Sequence, residues 1–357
     1  MGQRSKGSEM AHSSELSERE RQVLEAVIHS YVATAEPAGS RTLSRRFGLG
    51  ISPATIRNTM SDLEEKGFLF HPHTSAGRIP TDKAYRTYVD SLMRVDPLTG
   101  DERRRLAEDI QGGGSAIENI LRRAAQSLGV LTQELGVALG PRLDRATLRQ
   151  VELVRVSSDR LLMVLSLSGG AVRTIFVEVP GIIADDALIG VTIVLNERLA
   201  GLTLDQVRTS LASRLRDVAT TPQAAELLNI FVQEGEQVFG RAAADPLDTV
   251  VLGQPSLLAD KPEFASGERL RQLIELTETR QQLGRLLETR GGGPGISITI
   301  GNEHGDPRLE PFTVVTAEYN AGSLSGVIGV IGPTRMSYDK VIALVDHTSR
   351  LVSNLLC

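Results

Sequence analysis

Only one cysteine, Cys357, occurs among the 357 residues. A single thiol cannot close an internal disulfide, and a cysteine-based zinc site is excluded. No uninterrupted apolar run approaches the roughly 20 residues that span a bilayer, so no membrane partner is expected. The opening segment, MGQRSKGSEMAHSSE, is polar. It lacks the apolar stretch of a secretory signal, and Lys6 stands where N-myristoylation requires Ser or Thr. Residues 1–15 therefore read as a disordered tail, and a reducing cytoplasm is the simplest compartment.

Motifs of catalysis are missing too. The chain has no GxSxG, no HExxH, no paired-carboxylate motif and no Walker loop, so it is not read as an enzyme. Gly326, Gly329 and Gly332 recur in GVIGVIG, which is neither GxGxxG nor a loop followed by GKS or GKT. Glycines packing a strand against a helix are the expectation there. His71 and His73 have no cysteine partner, and alternate positions on a strand explain them better than a metal site. No cofactor is called for.

What is present is a globular composition, 41% hydrophobic and 23% charged. The chain is too long for one small core, which implies two or three domains. The net charge is −5. Yet from Arg41 to Arg86 the bases are Arg41, Arg45, Arg46, Arg57, Lys66, Arg78, Lys83 and Arg86, against Asp62, Glu64, Glu65 and Asp82. Eight minus four leaves a local charge of +4. A basic segment in an acidic protein points to nucleic acid.

That segment contains SPATIRNTMSDLEEK, residues 52–66. Ser52 can cap free helical N–H groups, and Pro53 loses nothing at the first helical position. Ile56, Met60 and Leu63 recur at helical spacing and mark a buried face. Ala54, Thr55, Arg57, Asn58 and Ser61 are left at the front or on the outer side. The major groove admits a helix, Arg can read guanine, and Asn can read adenine. In isolation such residues are an ordinary solvated face; the neighbouring segments favour DNA.

Ser17 can cap a first helix carrying Val23, Leu24, Val27, Ile28 and Tyr31 inside. GSRTLSRRFG makes a short second helix, with Leu43 and Phe47 facing in and Gly48 ending it. With a tight turn at LGIS, the order is helix-turn-helix. Arg41, Arg45 and Arg46 are expected at phosphates, which set register without reading sequence. FLFHPHTSAGRIP offers two short strands around a polar tip, a wing. Thr74, Ser75, Gly77 and Arg78 are candidates there for a phosphate or minor-groove contact, an ordinary hairpin being the alternative. A fourth helix starts at Thr81, with Tyr85, Tyr88, Val89 and Leu92 on one face.

Beyond it, DPLTGDERRR and QGGGS read as linker elements around a short helical segment. A helix from Ala116 to about Leu135 follows. Next come three strand-like runs, LRQVELVRVS, RLLMVLSLS and VRTIFVEVP, with turns at SSDR and SGG. From about Asp185 the period turns helical. One stripe is Leu204, Val207, Leu211, Leu215 and Val218. A second is Leu227, Leu228, Phe231, Val238 and Phe239, and a third is Leu270, Leu273, Ile274, Leu283, Leu286 and Leu287. These stripes read mainly as the core of a helical module, a partner-binding surface being the alternative. After GGGPG, strands resume with ISITIG, FTVVTAEY and LSGVIGVIG, and a last helix runs from Ser337 to Leu356. GPTRMSYDK reads as the turn into that helix, a contact from Arg335 to a neighbouring domain or partner being the alternative. A sheet interrupted by about 100 helical residues reads as a helical insertion in an α/β or α+β domain.

LSERERQVLEAVIHSYVATAEPAGSRTLSRRF and SPATIRNTMSDLEEKGFLFHPHTSAGRIPTDKAYRTYVD, with the later VLGQPSLLADKPEF and GVIGVIGPTRMSYDKVIALVD, carry a family resemblance. The chain resembles the HrcA-type heat-inducible transcription repressors of bacteria from Leu16 to Leu356, most specifically at its two ends. The resemblance implies an α+β multidomain fold. A winged helix-turn-helix domain (16–94) is followed by a linker (95–115) and a GAF-like α/β domain in two parts (116–184 and 291–357). A mainly helical dimerisation domain (185–290) is inserted between those parts. It also implies a homodimer on an inverted-repeat operator in double-stranded DNA upstream of chaperone operons. The chaperonin GroEL is the implied modulator, and the implied location is the bacterial cytoplasm, associated with the nucleoid. The alternative is a ligand-sensing winged-helix regulator whose GAF-like domain binds a small-molecule effector.

Overall fold

The computed structural model describes residues 16–73, 77–112, 117–141, 143–216, 221–244, 250–289, 295–322 and 324–356. The expected tail, Thr74 and Ser75 lie outside them, and side chains are not described at 234–238, 240–244 and 280–282.

The first unit comprises α1 (Glu18–Thr34), α2 (Ser40–Phe47), α3 (Pro53–Glu65), β1 (Leu69–Phe70), β2 (Ile79–Pro80) and α4 (Asp82–Thr87). Side-chain caps fix three of its helix starts. The Ser17 hydroxyl accepts from the Glu20 N–H, and the Glu20 carboxylate accepts in return from the Ser17 N–H at 2.8 Å. Ser52 accepts from the Thr55 N–H at 3.1 Å, and Thr81 from the Ala84 N–H at 3.3 Å. Each such cap satisfies a donor that the helix leaves free, worth about 1 kcal/mol. Val23, Leu24, Val27, Leu43, Ile56, Met60 and Leu63 are buried together. β1 pairs antiparallel with β2, Leu69 opposite Pro80, and an Ala38–Arg78 bridge adds the α1–α2 connection to that hairpin. Past Thr87 the helical bonding widens, and the Met93 N–H closes on the Tyr88 carbonyl at 2.9 Å.

Then follow α5 (Gly100–Gln111), α6 (Ile117–Thr132), β3 (Leu135–Leu139), β4 (Leu148–Arg155), β5 (Arg160–Leu167), β6 (Val172–Glu178), α7 (Asp185–Leu199), α8 (Leu204–Leu215) and α9 (Pro222–Ala244). The chain continues through β7 (Val250–Leu252), α10 (Ser256–Ala259), α11 (Gly267–Glu278), α12 (Arg280–Glu288), β8 (Ile296–Ile300), β9 (Phe312–Ala321), β10 (Leu324–Pro333) and α13 (Tyr338–Leu356).

A five-stranded antiparallel sheet in the order β7-β3-β10-β9-β8 organises the second unit. One face, with Ala138, Val315, Ala317, Tyr319, Ile328 and Val330, packs under α5, α6 and α13 and shares a continuous core with the first unit. The other, with Leu135, Val137, Leu139, Val314, Val327 and Ile331, meets Phe264 and the α11–α12 side chains Leu273, Leu276, Leu283 and Leu287. The region over 95–115, expected as a linker around a short helical segment, is instead part of the packed domain. It contains α5, which is capped by Thr99 and buries Leu106 and Ile110 in that core.

The three strand-like runs do not join this sheet. β4, β5 and β6 form a separate three-stranded antiparallel sheet, whose apolar face is covered by α7, α8 and α9. The inserted unit is thus a sheet with helices over 143–244, where a helical block over 185–290 had been expected. α11 and α12 cover the larger sheet instead. The physical reason lies in the strands. β4 and β5 alternate buried with less buried positions, whereas β9 and β10 are buried along nearly their whole length. A sheet with one wet face needs only the α7–α9 stripes to complete a core of its own. The glycines of GVIGVIG differ from expectation as well. A Cβ at Gly326, Gly329 or Gly332 would collide with Tyr319, the β9 backbone or Glu134, so they make room for sheet neighbours and a buried carboxylate rather than for a helix.

Candidate nucleic-acid interface

Helix α3 is held at both ends. At its start the Ser52 and Thr55 hydroxyls lie 2.9 Å apart. Just past its end, Lys66 Nζ lies 2.7 Å from Glu20 Oε1 of α1. Burial pushes the Glu20 carboxyl up, but bonds from Lys66 and Ser17 outweigh it and hold the group below the usual carboxylate range. Ile56, Thr59, Met60 and Leu63 face inward. Ser52, Ala54, Arg57 and Asn58 are exposed, and Thr55 and Ser61 are half-buried. The Ser61 hydroxyl donates to the Arg57 carbonyl at 3.2 Å, which turns it back toward the helix.

Arg41, Arg45 and Arg46 are exposed on α2, which packs on α3. Arg46 lies over the Phe47 ring at 5.6 Å. Among the described residues Arg41, Arg45 and Arg57 have no ion-pair partner. The other bases of the segment are committed within the protein. Lys66 pairs with Glu20, Arg78 with Glu64 at 2.7 Å, and Arg86 with Glu303 at 2.5 Å. Lys83 donates to the Lys66 carbonyl at 3.1 Å and sits 4.3 Å from the Phe68 ring centre. The positive charge facing solvent is thus concentrated on α2 and the first turns of α3.

The hairpin base is built differently from a free wing arm. A Cβ on Gly77 would fall 2.6 Å from the Pro37 carbonyl oxygen and collide with that of Ala38. Arg78 and Ala38 exchange backbone hydrogen bonds of 2.9 and 3.0 Å. The Arg78 guanidinium is turned onto Glu64, which His71 also contacts, and its Nε is buried. Gly77 and Arg78 therefore fasten the hairpin to α3 and to the α1–α2 connection. Glu64 escaped the sequence reading because nothing in the spacing of Glu64 and Arg78 announces that the fold will join them. Arg335 does reach a neighbouring unit: Nη1 donates to the Val32 carbonyl of α1 at 2.6 Å.

Comparisons with known proteins agree along nearly the whole chain. A family model described as the HrcA protein C terminal domain matches residues 118–342. The heat-inducible transcription repressor HrcA of Chlorobium phaeobacteroides strain BS1 is 39% identical over 352 residues, covering 96% of this chain and 99% of that protein. The repressor of the same name from Geobacter sulfurreducens is 39% identical over 343 residues, with 96% and 98% covered. A solved structure described only as that of a hypothetical protein shares the fold, with a TM-score of 0.59 at 23% identity over 96% of this chain and 98% of that one. These relatives define a class, transcription repressors rather than enzymes. Within that class, the chain belongs to the HrcA family of heat-inducible repressors.

Proposed function

We propose that this chain represses heat-shock chaperone operons by binding an inverted-repeat operator as a homodimer. In this reading residues 16–94 are a winged-helix domain, and α3 enters the major groove. Arg57 and Asn58 read base edges, with Thr55 beside them. Ser52, Ala54 and Ser61 line the approach, and Arg41, Arg45 and Arg46 neutralise phosphates. Thr74 and Ser75, which fall between β1 and β2 in the sequence, contact the backbone or minor groove, while Gly77 and Arg78 position the hairpin. The observation that carries this reading is the separation of charge. The arginines of α2 and Arg57 face solvent without ion-pair partners among the described residues, while the other bases nearby are held by the protein itself.

A two-fold protein suits a two-fold site. Exposed Ile189 and Ile193 on α7 supply an apolar ridge for a dimer seam. The five-stranded antiparallel sheet with helices on both faces is the GAF-like domain of this reading. Its folded state sets the position of the DNA-binding heads. Heating unfolds it and releases DNA, and the chaperonin GroEL restores the active fold. The bacterial nucleoid is the corresponding location.

A footprint on chaperone-gene promoters of the source bacterium, with and without chaperonin, tests this. The expected result is symmetric protection of an inverted repeat that weakens on heating and recovers with chaperonin. Equal binding to scrambled DNA, or protection indifferent to both heat and chaperonin, would overturn it.

A further inference from the structure

The DNA-binding unit is joined to the sheet domain at two arginines. Arg86 of α4 donates from Nε to Glu303 Oε1 at 2.7 Å and from Nη2 to the Ile298 carbonyl at 2.8 Å. Beside it, the Asn302 backbone N–H donates to Asp82 at 2.9 Å. The second joint runs the other way. Arg335, in the turn between β10 and α13, reaches back to α1. Its Nη1 donates to the Val32 carbonyl at 2.6 Å, and its Nη2 to Glu263 Oε2 at 3.1 Å, while Nε also donates to Glu263. Only 14% of the Arg335 side chain is exposed.

This contact answers a need of α1. A helix leaves its last four carbonyls without partners and carries partial negative charge there. α1 has no basic residue in its last turn. The missing cation comes from the sheet domain, far along the chain. Its counter-charge, Glu263, belongs to the turn Pro262–Phe264, and that turn is itself anchored. The adjacent Lys261 pairs with Glu134, whose side chain is 3% exposed at the start of β3. A line of charge thus runs from the sheet through Lys261 and Glu263 to Arg335 and the end of α1.

We propose that Arg335 and Glu263 are positioning residues for operator binding: Arg335 caps α1 from the sheet domain and so fixes the angle at which α3 is presented. The proposal rests on the repressor reading for its DNA consequence, but not for its geometry. Two heads held at a fixed angle accept one half-site spacing. Heads released from Arg335 tolerate several spacings and bind each less tightly.

The experiment has a DNA-free arm and a DNA arm. Spin labels are placed on the full chain at Glu65→Cys in α3 and Asn354→Cys in α13, both exposed positions, in a Cys357→Ser background. With the labelled chain diluted in excess unlabelled chain, so that a dimer carries labels on one protomer only, the parent is expected to give one narrow distance distribution and Arg335→Met a broad one. Arg335→Lys, which keeps a cation and a donor, should remain close to the parent. In the DNA arm, operators differ in half-site spacing by up to about 5 base pairs, half a helical turn. The unaltered protein should bind one spacing strongly. Arg335→Met should lose about tenfold there and show a flattened spacing profile, with binding to an isolated half-site unchanged. If Arg335→Met fails to fold, Glu263→Gln carries both arms. Unchanged distance distributions overturn the positioning role whatever DNA does, and so does an unchanged spacing profile on an operator that the parent binds. Failure of the parent to prefer the inverted repeat over scrambled DNA overturns the repressor reading instead, and the label distances then decide the positioning role.

Discussion

Glu64 Oε2 lies 2.7 Å from Arg78 Nη2, which joins the last turn of α3 to the base of the hairpin. Both side chains are largely covered, at 26% and 20% exposure, so the pair counts for more than a solvated surface bridge. A double-mutant cycle with Glu64→Gln and Arg78→Met, read by urea unfolding, should give a coupling of about 1 kcal/mol. Strictly additive losses would mean that the hairpin does not lean on α3. Arg78→Met should also weaken operator binding without changing its salt slope, since no phosphate contact is removed.

Gly77 tests the same joint from the backbone. Gly77→Ala places a methyl against the Pro37 and Ala38 carbonyl oxygens. The strain should cost about 1–3 kcal/mol, seen as a lower urea midpoint with an unchanged slope. An unshifted midpoint would show that the α1–α2 connection can move aside.

Glu134 makes stability depend on pH in the direction opposite to most carboxylates. Burial pushes its pKa from 4.5 up to about 7, and the Lys261 ammonium offsets this only in part. The folded chain then holds the proton more tightly than the unfolded chain. Between pH 4.5 and 7 this group's contribution to stability falls as pH rises, by at most ~1.4 kcal/mol per pH unit; below and above that window it is flat. Glu134→Gln cannot titrate. Its stability relative to the parent should therefore rise with pH through the window and level off above it. A difference independent of pH would contradict the assignment.

Ile189 and Ile193 stand one turn apart on α7, 60% and 52% exposed. If they form the dimer seam, Ile193→Glu should give a folded monomer by sedimentation, with operator affinity reduced to that of one head. Persistence of the dimer would place the seam elsewhere.

The first unit was legible because its signals are local. Ser17, Ser52 and Thr81 stand where caps belong, and Ile56, Met60 and Leu63 repeat at helical spacing. Of the larger sheet, β8, β9 and β10 were legible as strands, whereas the short β3 and β7 were not, and the strands of the two sheets were not told apart. VELVRV and RLLMVLSLS alternate, FTVVTAEY and GVIGVIG are nearly continuous, and that contrast separates a sheet with one wet face from one covered on both sides. α5 was legible as a short helical segment, but its charged, glycine-flanked sequence hid its length and its place in the core, because only Leu106 and Ile110 point inward. The joints made by Arg86 and Glu64 could not be read at all, and for Arg335 the sequence offered a neighbouring-domain contact only as the alternative, with no partner residue. Each links residues that only the tertiary fold brings together, and a lone arginine or glutamate carries no mark of its partner.

In the proposed complex α3 reads bases while α2 holds the DNA backbone. Arg45→Ala should weaken operator and unrelated DNA alike and reduce the salt slope by about 1. The most direct measurement is affinity across every single base-pair substitution of the operator, for the parent, Arg57→Ala and Asn58→Ala. Each variant is expected to lose about 1–3 kcal/mol and its preference at one base-pair position, with the others kept. Parental affinity and an unchanged substitution profile in both variants would contradict this reading.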